Sequence, residues 1–355
     1  MNIKLGVIGF GGMGKWHAQN APRAGVEVVA VCDIKEERFK EAEEMGYKLY
    51  KSAEELLADE EINTVILTVP NHLHKEMCIK SAMAGKNVIT EKPAAMTVAE
   101  LDEMEEACKK ANVFFTCHQN RRWDRDMLIV KKAYEDGLLG KIFTMESKLH
   151  SGNGYMHEWH LYKKYGGGMI YDWGVHLIDQ ILFMMPDAKI SSLYADIKNV
   201  LHDEVDDYFK IIMKMDNGIT AHIELSTYIL DYQPRWLVGG DKGSLIIKNF
   251  GCEGKIYRTG ELLEKLPPQI TETVAGPTRQ FAPVPPGGIV TEDLPIVETD
   301  WVDFYKNVQG VLNGTEEPKI KISEVRRVLN VMELAKKSSE EGIAILVESD
   351  QAVLA

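Results

Sequence analysis

Near its N-terminus the chain reads Val7-Ile8-Gly9-Phe10-Gly11-Gly12-Met13-Gly14, which contains the spacing G-x-G-x-x-G. The stretch follows an apolar run and opens a helical pattern, so it predicts a strand, a glycine turn and a helix N-terminus. Gly9 permits the tight turn, Gly11 lets the backbone approach a pyrophosphate, and Gly14 lets helix and strand pack closely. Because the amides of a helix N-terminus attract phosphate, the stretch predicts a dinucleotide site.

The first third of the chain alternates short apolar runs with charged, amphipathic runs. Continuous apolar strands are typical of a parallel sheet that helices cover on both faces. Ser52 with Glu55, and Thr97 with Glu100, have the spacing of helix capping boxes. We therefore predict a doubly wound parallel sheet. Its predicted strands are Ile3 to Ile8, Val26 to Cys32, Thr64 to Val69, Asn87 to Thr90 and Val113 to Cys117.

The pattern changes near Asn120, which divides the chain into predicted domains of residues 1–120 and 121–355. Two alternating runs, 205–215 and 219–229, flank Asn217-Gly218, a strong hairpin signal, and predict a half-buried antiparallel sheet. Helices are predicted at 125–136, 169–185, 301–312 and 323–341, and a strand at 141–150. The segment 266–295 is rich in proline and glycine and predicts a long irregular loop.

Charge and cysteine content exclude several classes of protein. The 355 residues carry a formal net charge of -13, which disfavours a nucleic-acid binder or a partner of anionic membranes. The five cysteines are scattered and odd in number, so they indicate reduced thiols rather than a disulfide framework. The N-terminus has no signal-peptide layout. These features predict a cytoplasmic protein.

A carboxylate follows the second predicted strand at the position that selects the cofactor. Asp33 lies 19 residues after Gly14, where an acidic side chain accepts hydrogen bonds from ribose hydroxyls and repels a 2′-phosphate. This spacing favours NAD over NADP. Lys35 and Arg38 lie nearby and would soften the preference, but we interpret them as solvated residues of a first helical turn.

Further motifs resemble a known family. They are Val69-Pro70-Asn71-His72-Leu73-His74, Glu91-Lys92-Pro93, Gln119-Asn120-Arg121-Arg122-Trp123 and Gly166-Gly167-Gly168-Met169-Ile170-Tyr171-Asp172-Trp173-Gly174-Val175-His176. With the glycine stretch, they resemble the Gfo/Idh/MocA oxidoreductases, which include inositol dehydrogenases and glucose–fructose oxidoreductase. The likeness extends over nearly the whole chain.

The resemblance implies an N-terminal Rossmann domain and a C-terminal α+β domain with an open, mostly antiparallel sheet, with the active site between them. It implies that Lys92, Asp172 and His176 are catalytic. It also implies a set of residues that line NAD. They are Gly9, Phe10, Gly11, Gly12, Met13, Gly14, Asp33, Pro70, Asn71, His74, Glu91, Lys92 and Asn120.

The three catalytic candidates suit the oxidation of an alcohol. Asp172 and His176 stand four apart on a predicted helix and so share a face. A histidine suits a general base at neutral pH. Lys92 ends a predicted strand, where its ammonium would stabilise alkoxide charge. Either Lys92 or His176 could accept the proton; we favour His176, with Lys92 orienting the hydroxyl and Asp172 fixing both.

The loop before the catalytic helix combines aromatic and polar side chains that suit a sugar ring. We expect Tyr155, His157, Trp159 and His160 to contact substrate, together with Arg122 and Trp123. The alternative is an ordinary folded surface loop. Because the histidines lack the H-E-x-x-H spacing, we expect no metal.

Three functions follow from these features. The leading one is an NAD-dependent dehydrogenase of a sugar, glycoside or cyclitol; the second is an oxidoreductase that retains NAD and regenerates it with another substrate. The third is a non-catalytic NAD-binding sensor. We also expect a homo-oligomer (dimer, tetramer or larger) in which another subunit covers one sheet face. That face comprises Thr220, His222, Glu224, Ser226 and Tyr228.

Overall fold

The computed structural model describes residues 2–261, 269–279 and 283–347. It begins with a six-stranded parallel sheet of order β3-β2-β1-β4-β5-β6. The strands are β1 (Lys4–Ile8), β2 (Glu27–Cys32), β3 (Lys48–Tyr50), β4 (Thr64–Leu67), β5 (Asn87–Thr90) and β6 (Phe115–Cys117). The central strands consist of buried apolar residues, which confirms the predicted parallel sheet. The three-residue strand β3 was not predicted, because it is too short to show a period.

Helices connect these strands. They are α1 (Gly12–Asn20), α2 (Glu37–Glu44), α3 (Ala53–Leu57), α4 (His74–Met83) and α5 (Val98–Lys110). The side chains of Ser52 and Thr97 accept the main-chain N–H of Glu55 and Glu100, so both predicted helix caps are present.

The second sheet has nine strands in the order β16-β13-β12-β11-β7-β10-β9-β8-β17. They are β7 (Ile142–His150), β8 (Ile190–Lys198), β9 (Tyr208–Met215), β10 (Thr220–Ser226), β11 (Trp236–Gly240), β12 (Gly243–Ile247), β13 (Gly254–Thr259), β16 (Ile289–Glu292) and β17 (Ile345–Leu346). Among the strand pairs of the described residues in this sheet, only β7–β10 is parallel, which confirms a mostly antiparallel sheet. The predicted Asn217-Gly218 hairpin joins β9 to β10.

The segment predicted as an irregular loop contains strands. A separate hairpin pairs β14 (Thr271–Thr273) with β15 (Gly276–Thr278), and β16 extends the large sheet. The expectation of 266–295 as a loop was therefore wrong over these strands, which are too short for a period to appear in the sequence. Residues 266–268 and 280–282 lie outside the described residues.

In the part of the chain that the structure describes, four further α-helices follow the first sheet. They are α6 (Arg125–Glu135), α7 (Val175–Met184), α8 (Asp303–Leu312) and α9 (Ile322–Glu341). Helix α9 joins the two sheets, since Arg326 pairs with Asp102 and Glu105 of α5 while Ser338 accepts the N–H of Ala195 in β8. A chain division at residue 120 stays a prediction.

One face of the large sheet carries exposed aromatic side chains. Phe143 is 57% and Tyr194 40% exposed, and Tyr228 is 51% exposed, whereas Glu224 and Ser226 are buried in the single chain. That another subunit covers this face stays a prediction. Within the described part of the chain, no helix has the length and apolar character needed to cross a membrane.

A buried ion pair connects Arg122, in the segment that follows β6, to Asp179 in helix α7. The Arg122 guanidinium donates to both carboxylate oxygens of Asp179 at 2.9 and 2.6 Å, and to Glu324 at 2.7 Å. Arg122 and Asp179 are almost fully buried. The pair therefore links the segment after β6 to α7 and to the N-terminus of α9.

We predict that Arg122→Met lowers the free energy of unfolding by about 3–5 kcal/mol, because it leaves the Asp179 carboxylate buried and unpaired. Urea unfolding followed by circular dichroism measures the change. Lys132→Ala is the control, since it breaks only the exposed pair with Asp136 and should cost less than about 1 kcal/mol. Equal midpoints for the two variants would contradict the prediction.

Candidate active site

The glycine turn between β1 and α1 has no room for side chains. Gly9 has φ of +96°, and a Cβ there would lie 2.6 Å from the carbonyl oxygen of Thr68. A Cβ on Gly14 would lie 2.0 Å from the carbonyl oxygen of Gly9. Helix and turn therefore approach as closely as a dinucleotide fold requires, with the N-terminus of α1 facing the cavity above.

A cavity of about 700 Å³ extends from this turn, past the carboxyl ends of the strands, to Asp172. Its volume lies in the usual range of cofactor sites, ~300–1,000 Å³. Most of the predicted cofactor residues line it. They are Gly9, Gly11, Gly12, Met13, Asp33, Pro70, Asn71, Glu91 and Lys92. A glycine cradle at one end and a lysine at the other fit NAD.

Four predicted cofactor residues do not line this cavity. The Phe10 ring is fully buried, and only its main-chain N–H reaches the site, at 2.7 Å from an Asp33 oxygen. Gly14 contributes by allowing helix α1 to pack closely against the glycine turn at Gly9. The ring nitrogens of buried His74 lie 2.8 and 3.0 Å from main-chain carbonyl oxygens, so His74 holds loops in place. Asn120 Oδ1 is buried and lacks a hydrogen-bond partner within the described residues.

Asp33 is 6% exposed and is fully engaged at the ribose end of the cavity. It accepts the N–H of Phe10, the N–H of Lys35 at 2.9 Å and the Arg38 guanidinium at 2.9 Å. The interpretation of Arg38 as a solvated residue was therefore wrong: its side chain is 22% exposed and folds back over Gly11 because Asp33 attracts it.

Sequence reasoning missed other residues at this end of the cavity. Lys51, Ser52 and Ala53 line it directly after β3. The capping box at Ser52 was the available signal, because a helix start at the carboxyl edge of a parallel sheet faces the ligand.

Lys92 and Asp172 meet at the far end. The Lys92 ammonium donates to Asp172 Oδ1 at 2.6 Å and to the Asp172 main-chain oxygen at 2.7 Å. Burial would raise the pKa of Asp172, but the Lys92 charge outweighs burial and holds that pKa below its usual value. An ammonium has three N–H donors, so one remains for a reacting hydroxyl.

His176 is 4% exposed and is not among the residues that line either cavity. Burial, together with the charges of Lys92 and Arg121, holds the pKa of His176 well below its usual value, so the imidazole is neutral. Its Nδ1 has no hydrogen-bond partner among the described residues. The expectation that Asp172 orients His176 was therefore wrong at this nitrogen. Residues Ile170–Gly174 form a π-helical turn, which does not place the two side chains one regular α-turn apart.

A buried polar network supports the E-K-P motif from below. Glu91 Oε1 lies 2.7 Å from His17 Nε2 and 2.8 Å from His118 Nδ1, and Tyr305 Oη lies 2.6 Å from His17 Nδ1. Burial, reinforced by His118, lowers the pKa of His17 to about 4. Neutral His17 therefore donates a hydrogen bond to Glu91 and accepts one from the Tyr305 hydroxyl.

Within the described ranges, this trio of His17, Glu91 and His118 has metal-ligand spacing. Its members already hydrogen-bond one another directly, so we interpret it as a positioning network.

The six predicted substrate residues separate into three groups. Tyr155 and His157 line a second cavity of about 500 Å³, and His160 lines both cavities. Trp159 stacks on His160 at 3.8 Å between ring centroids and lines the cofactor cavity instead.

The other two candidates line neither cavity: Arg122 is buried, and Trp123 is half-buried. Arg122 is occupied by Asp179 and Glu324, and Trp123 packs edge-on against Phe304. The structure therefore corrects both assignments: the second cavity is lined instead by Trp173, Thr227 and Phe250, which sequence reasoning missed. These residues are far apart in the sequence and carry no shared motif.

Comparison with known proteins agrees with this geometry. Residues 3–119 match the family model described as an oxidoreductase family with an NAD-binding Rossmann fold, and residues 127–246 match the GFO/IDH/MocA C-terminal domain. An uncharacterized oxidoreductase of Schizosaccharomyces pombe is 31% identical over 84% of each chain. The scyllo-inositol 2-dehydrogenase (NADP(+)) of Bacillus subtilis is 28% identical over 98% of this chain and 96% of that protein.

A solved structure is also similar over its whole length. The crystal structure of an NAD-binding protein from Listeria innocua superposes with a TM-score of 0.92 at 37% identity, covering 98% of this chain and 100% of that one. Both halves of the predicted fold and the predicted cofactor are thereby confirmed. The chain belongs to the Gfo/Idh/MocA family of NAD-binding oxidoreductases.

Proposed function

We propose that the protein transfers a hydride between NAD and a secondary alcohol of a sugar, glycoside or cyclitol. The observation that carries this proposal is the contact between Lys92 and Asp172 where the cofactor cavity meets the second cavity. The name of the Bacillus subtilis relative, an inositol dehydrogenase, supports the same class of substrate.

The residues suit each part of the reaction. In alcohol oxidation, a C–H bond gives its electron pair as hydride to NAD⁺, the hydroxyl gives its proton to a base, and a carbonyl forms. When bound, NAD supplies the hydride acceptor. The free N–H of Lys92 would hold the hydroxyl oxygen and stabilise its developing negative charge. Neutral His176 would accept the proton, and Asp172 would fix Lys92.

The hypothesis that the protein retains NAD between turnovers is supported by an ion pair at the cofactor cavity. The turn from Glu158 to His160 lines the cofactor cavity, and Glu158 lies 4.0 Å from the Lys35 ammonium across it. NAD that co-purifies in stoichiometric amount, with no release of NADH during turnover, would favour retention. The hypothesis that the protein is a non-catalytic NAD-binding sensor predicts no turnover of any substrate.

The proposal is tested by incubating the protein with NAD⁺ and a panel of polyols, free sugars and glycosides, and following NADH absorbance. Turnover of at least one secondary alcohol is expected. A protein that binds NADH but turns over no member of the panel would contradict the proposal.

We predict that Lys92→Ala lowers kcat by at least ~10²-fold, the usual contribution of a positioned acid–base group. NADH affinity should hardly change, because the Lys92 ammonium contacts Asp172 and not the phosphate end of the cavity. Steady-state kinetics and a fluorescence titration measure the two effects. Lys75→Ala, which loses an exposed pair with Glu103, is the control. More than a tenth of the wild-type rate in the Lys92 variant would remove its assigned role.

We predict that kcat/KM for alcohol oxidation falls on the acid side only below pH ~6.5, the ordinary pKa of histidine. The reason is that the base must be neutral, and the pKa of His176 lies well below that value. His176→Asn should lower the rate and abolish this acid limb. If the pH profile of the variant matches wild type, Lys92 or a water is the base.

We predict tighter binding of NADH than of NADPH, because a 2′-phosphate would face the Asp33 carboxylate. Asp33→Ser should narrow the difference. Arg38→Gln should weaken NADPH more than NADH, since it removes the guanidinium beside Asp33. Fluorescence titration of all three proteins measures the affinities, and equal or tighter binding of NADPH by wild type would overturn the prediction.

A further inference from the structure

The second cavity begins where the cofactor cavity ends. Asp172 and His160 line both, and the second cavity extends from them between the carboxyl ends of β7 and β10 and the loop of residues 153–157. A substrate whose reacting carbon lies at Lys92 would therefore place its remote end in this second cavity. The lining of the cavity decides what that remote end is.

No lysine or arginine lines the second cavity within the described residues, and its one carboxylate, Asp172, is paired with Lys92. Of its histidines, His150 is kept neutral, because burial holds its pKa below the usual value. An anionic group placed here would lose water without gaining a fixed positive partner, which strongly disfavours binding.

The arginine that stacks on the cavity wall is already paired. Arg121 lies behind the cavity wall, with its guanidinium carbon 4.0 Å from the centroid of the Trp173 ring and its Nη1 3.0 Å from an oxygen of Asp124.

The lysines on the neighbouring sheet are occupied as well. Lys148 lies 2.7 Å from Glu146, and Lys210 lies 3.2 Å from Glu224. Recruiting any of these cations to a substrate anion would break an existing ion pair.

Much of the cavity wall is apolar, although serine, asparagine, histidine and threonine side chains also line it. Its apolar members are Leu149, Met156, Met169, Trp173, Leu225 and Phe250. Two buried polar atoms that line it, His150 Nε2 and Thr227 Oγ1, lack partners among the described residues. Such a lining suits a group with an apolar face and one or two hydrogen-bonding atoms.

We propose that the substrate is an uncharged glycoside whose aglycone is apolar, with the aglycone seated in the second cavity and the sugar at Lys92. This rests on the proposed function. It excludes nucleotide-linked sugars and glycosides of an anionic aglycone as good substrates, because each would place an anion in the second cavity, which offers it no partner. His157 and Tyr155 at its rim would contact the sugar or the glycosidic bond.

The test compares matched compounds built on the sugar ring that the panel identifies: the methyl glycoside, the phenyl glycoside, and phenyl glycosides that carry a carboxylate or a phosphate on the phenyl ring. We expect kcat/KM of the phenyl glycoside to exceed that of the methyl glycoside by at least ~10-fold, and each anionic compound to be at least ~10-fold poorer, which corresponds to about 1.4 kcal/mol. Affinity for the protein–NADH complex is measured in parallel by calorimetry.

Two variants, Phe250→Ala and Tyr155→Arg, and one control variant, Phe143→Ala, test whether the second cavity causes the preference among these compounds. Phe250→Ala should reduce the phenyl-to-methyl ratio, while Phe143→Ala, an exposed aromatic on the sheet away from both cavities, should leave it unchanged. Tyr155→Arg adds a cation at an exposed rim position of the second cavity and should improve kcat/KM for the carboxylate on the phenyl ring relative to the uncharged phenyl glycoside.

The outcomes separate this inference from the proposed function. Turnover with no preference for the phenyl glycoside, or with anionic compounds as good as neutral ones, overturns the inference and leaves the function standing. Preferential binding of the phenyl glycoside without turnover supports the inference and removes the function. If calorimetry detects no binding of any glycoside to the protein–NADH complex, the inference is wrong.

Discussion

The contact between Lys92 and Asp172 is the interaction on which the rest of the site depends. Lys92 follows the carboxyl end of a strand in the parallel sheet, whereas Asp172 lies in the π-helical turn that leads into the helix packed on the second sheet. Their hydrogen bonds at 2.6 and 2.7 Å therefore join the two halves of the molecule at the point where both cavities meet. A small shift of either half would separate the ammonium from its carboxylate.

This contact is held in place by buried polar groups on each side. Below Lys92, the Glu91 carboxylate is fixed by His17 and His118, and His17 is in turn tied to Tyr305 of helix α8. Hydrogen bonds are strong in a buried network of this kind, so they favour one arrangement of these side chains, although His118 Nε2 has no partner among the described residues. The E-K-P motif therefore functions as a junction between the sheet and the C-terminal helices as well as a supplier of the lysine.

The two cavities have different linings and therefore suit different ligands. The cofactor cavity offers a helix N-terminus, backbone amides and Asp33, all of which suit phosphates and ribose hydroxyls. The second cavity offers aromatic and aliphatic walls together with hydroxyl, amide and imidazole groups. The turn at Trp159 and His160 lies between them, so movement of this one turn would affect access to both.

The sequence by itself determined the parallel sheet, the glycine turn, the position of Asp33 beside it and the hairpin at Asn217, because these depend on patterns between neighbouring residues. Family motifs added Lys92, Asp172 and His176. Only the tertiary structure decided that Arg122 is buried with Asp179, that Trp159 faces the cofactor cavity, and that Phe250 and Thr227 line the second cavity. The physical reason is that a side chain's partners are chosen by packing between elements far apart in the chain, and periodicity reports only which face of an element is apolar.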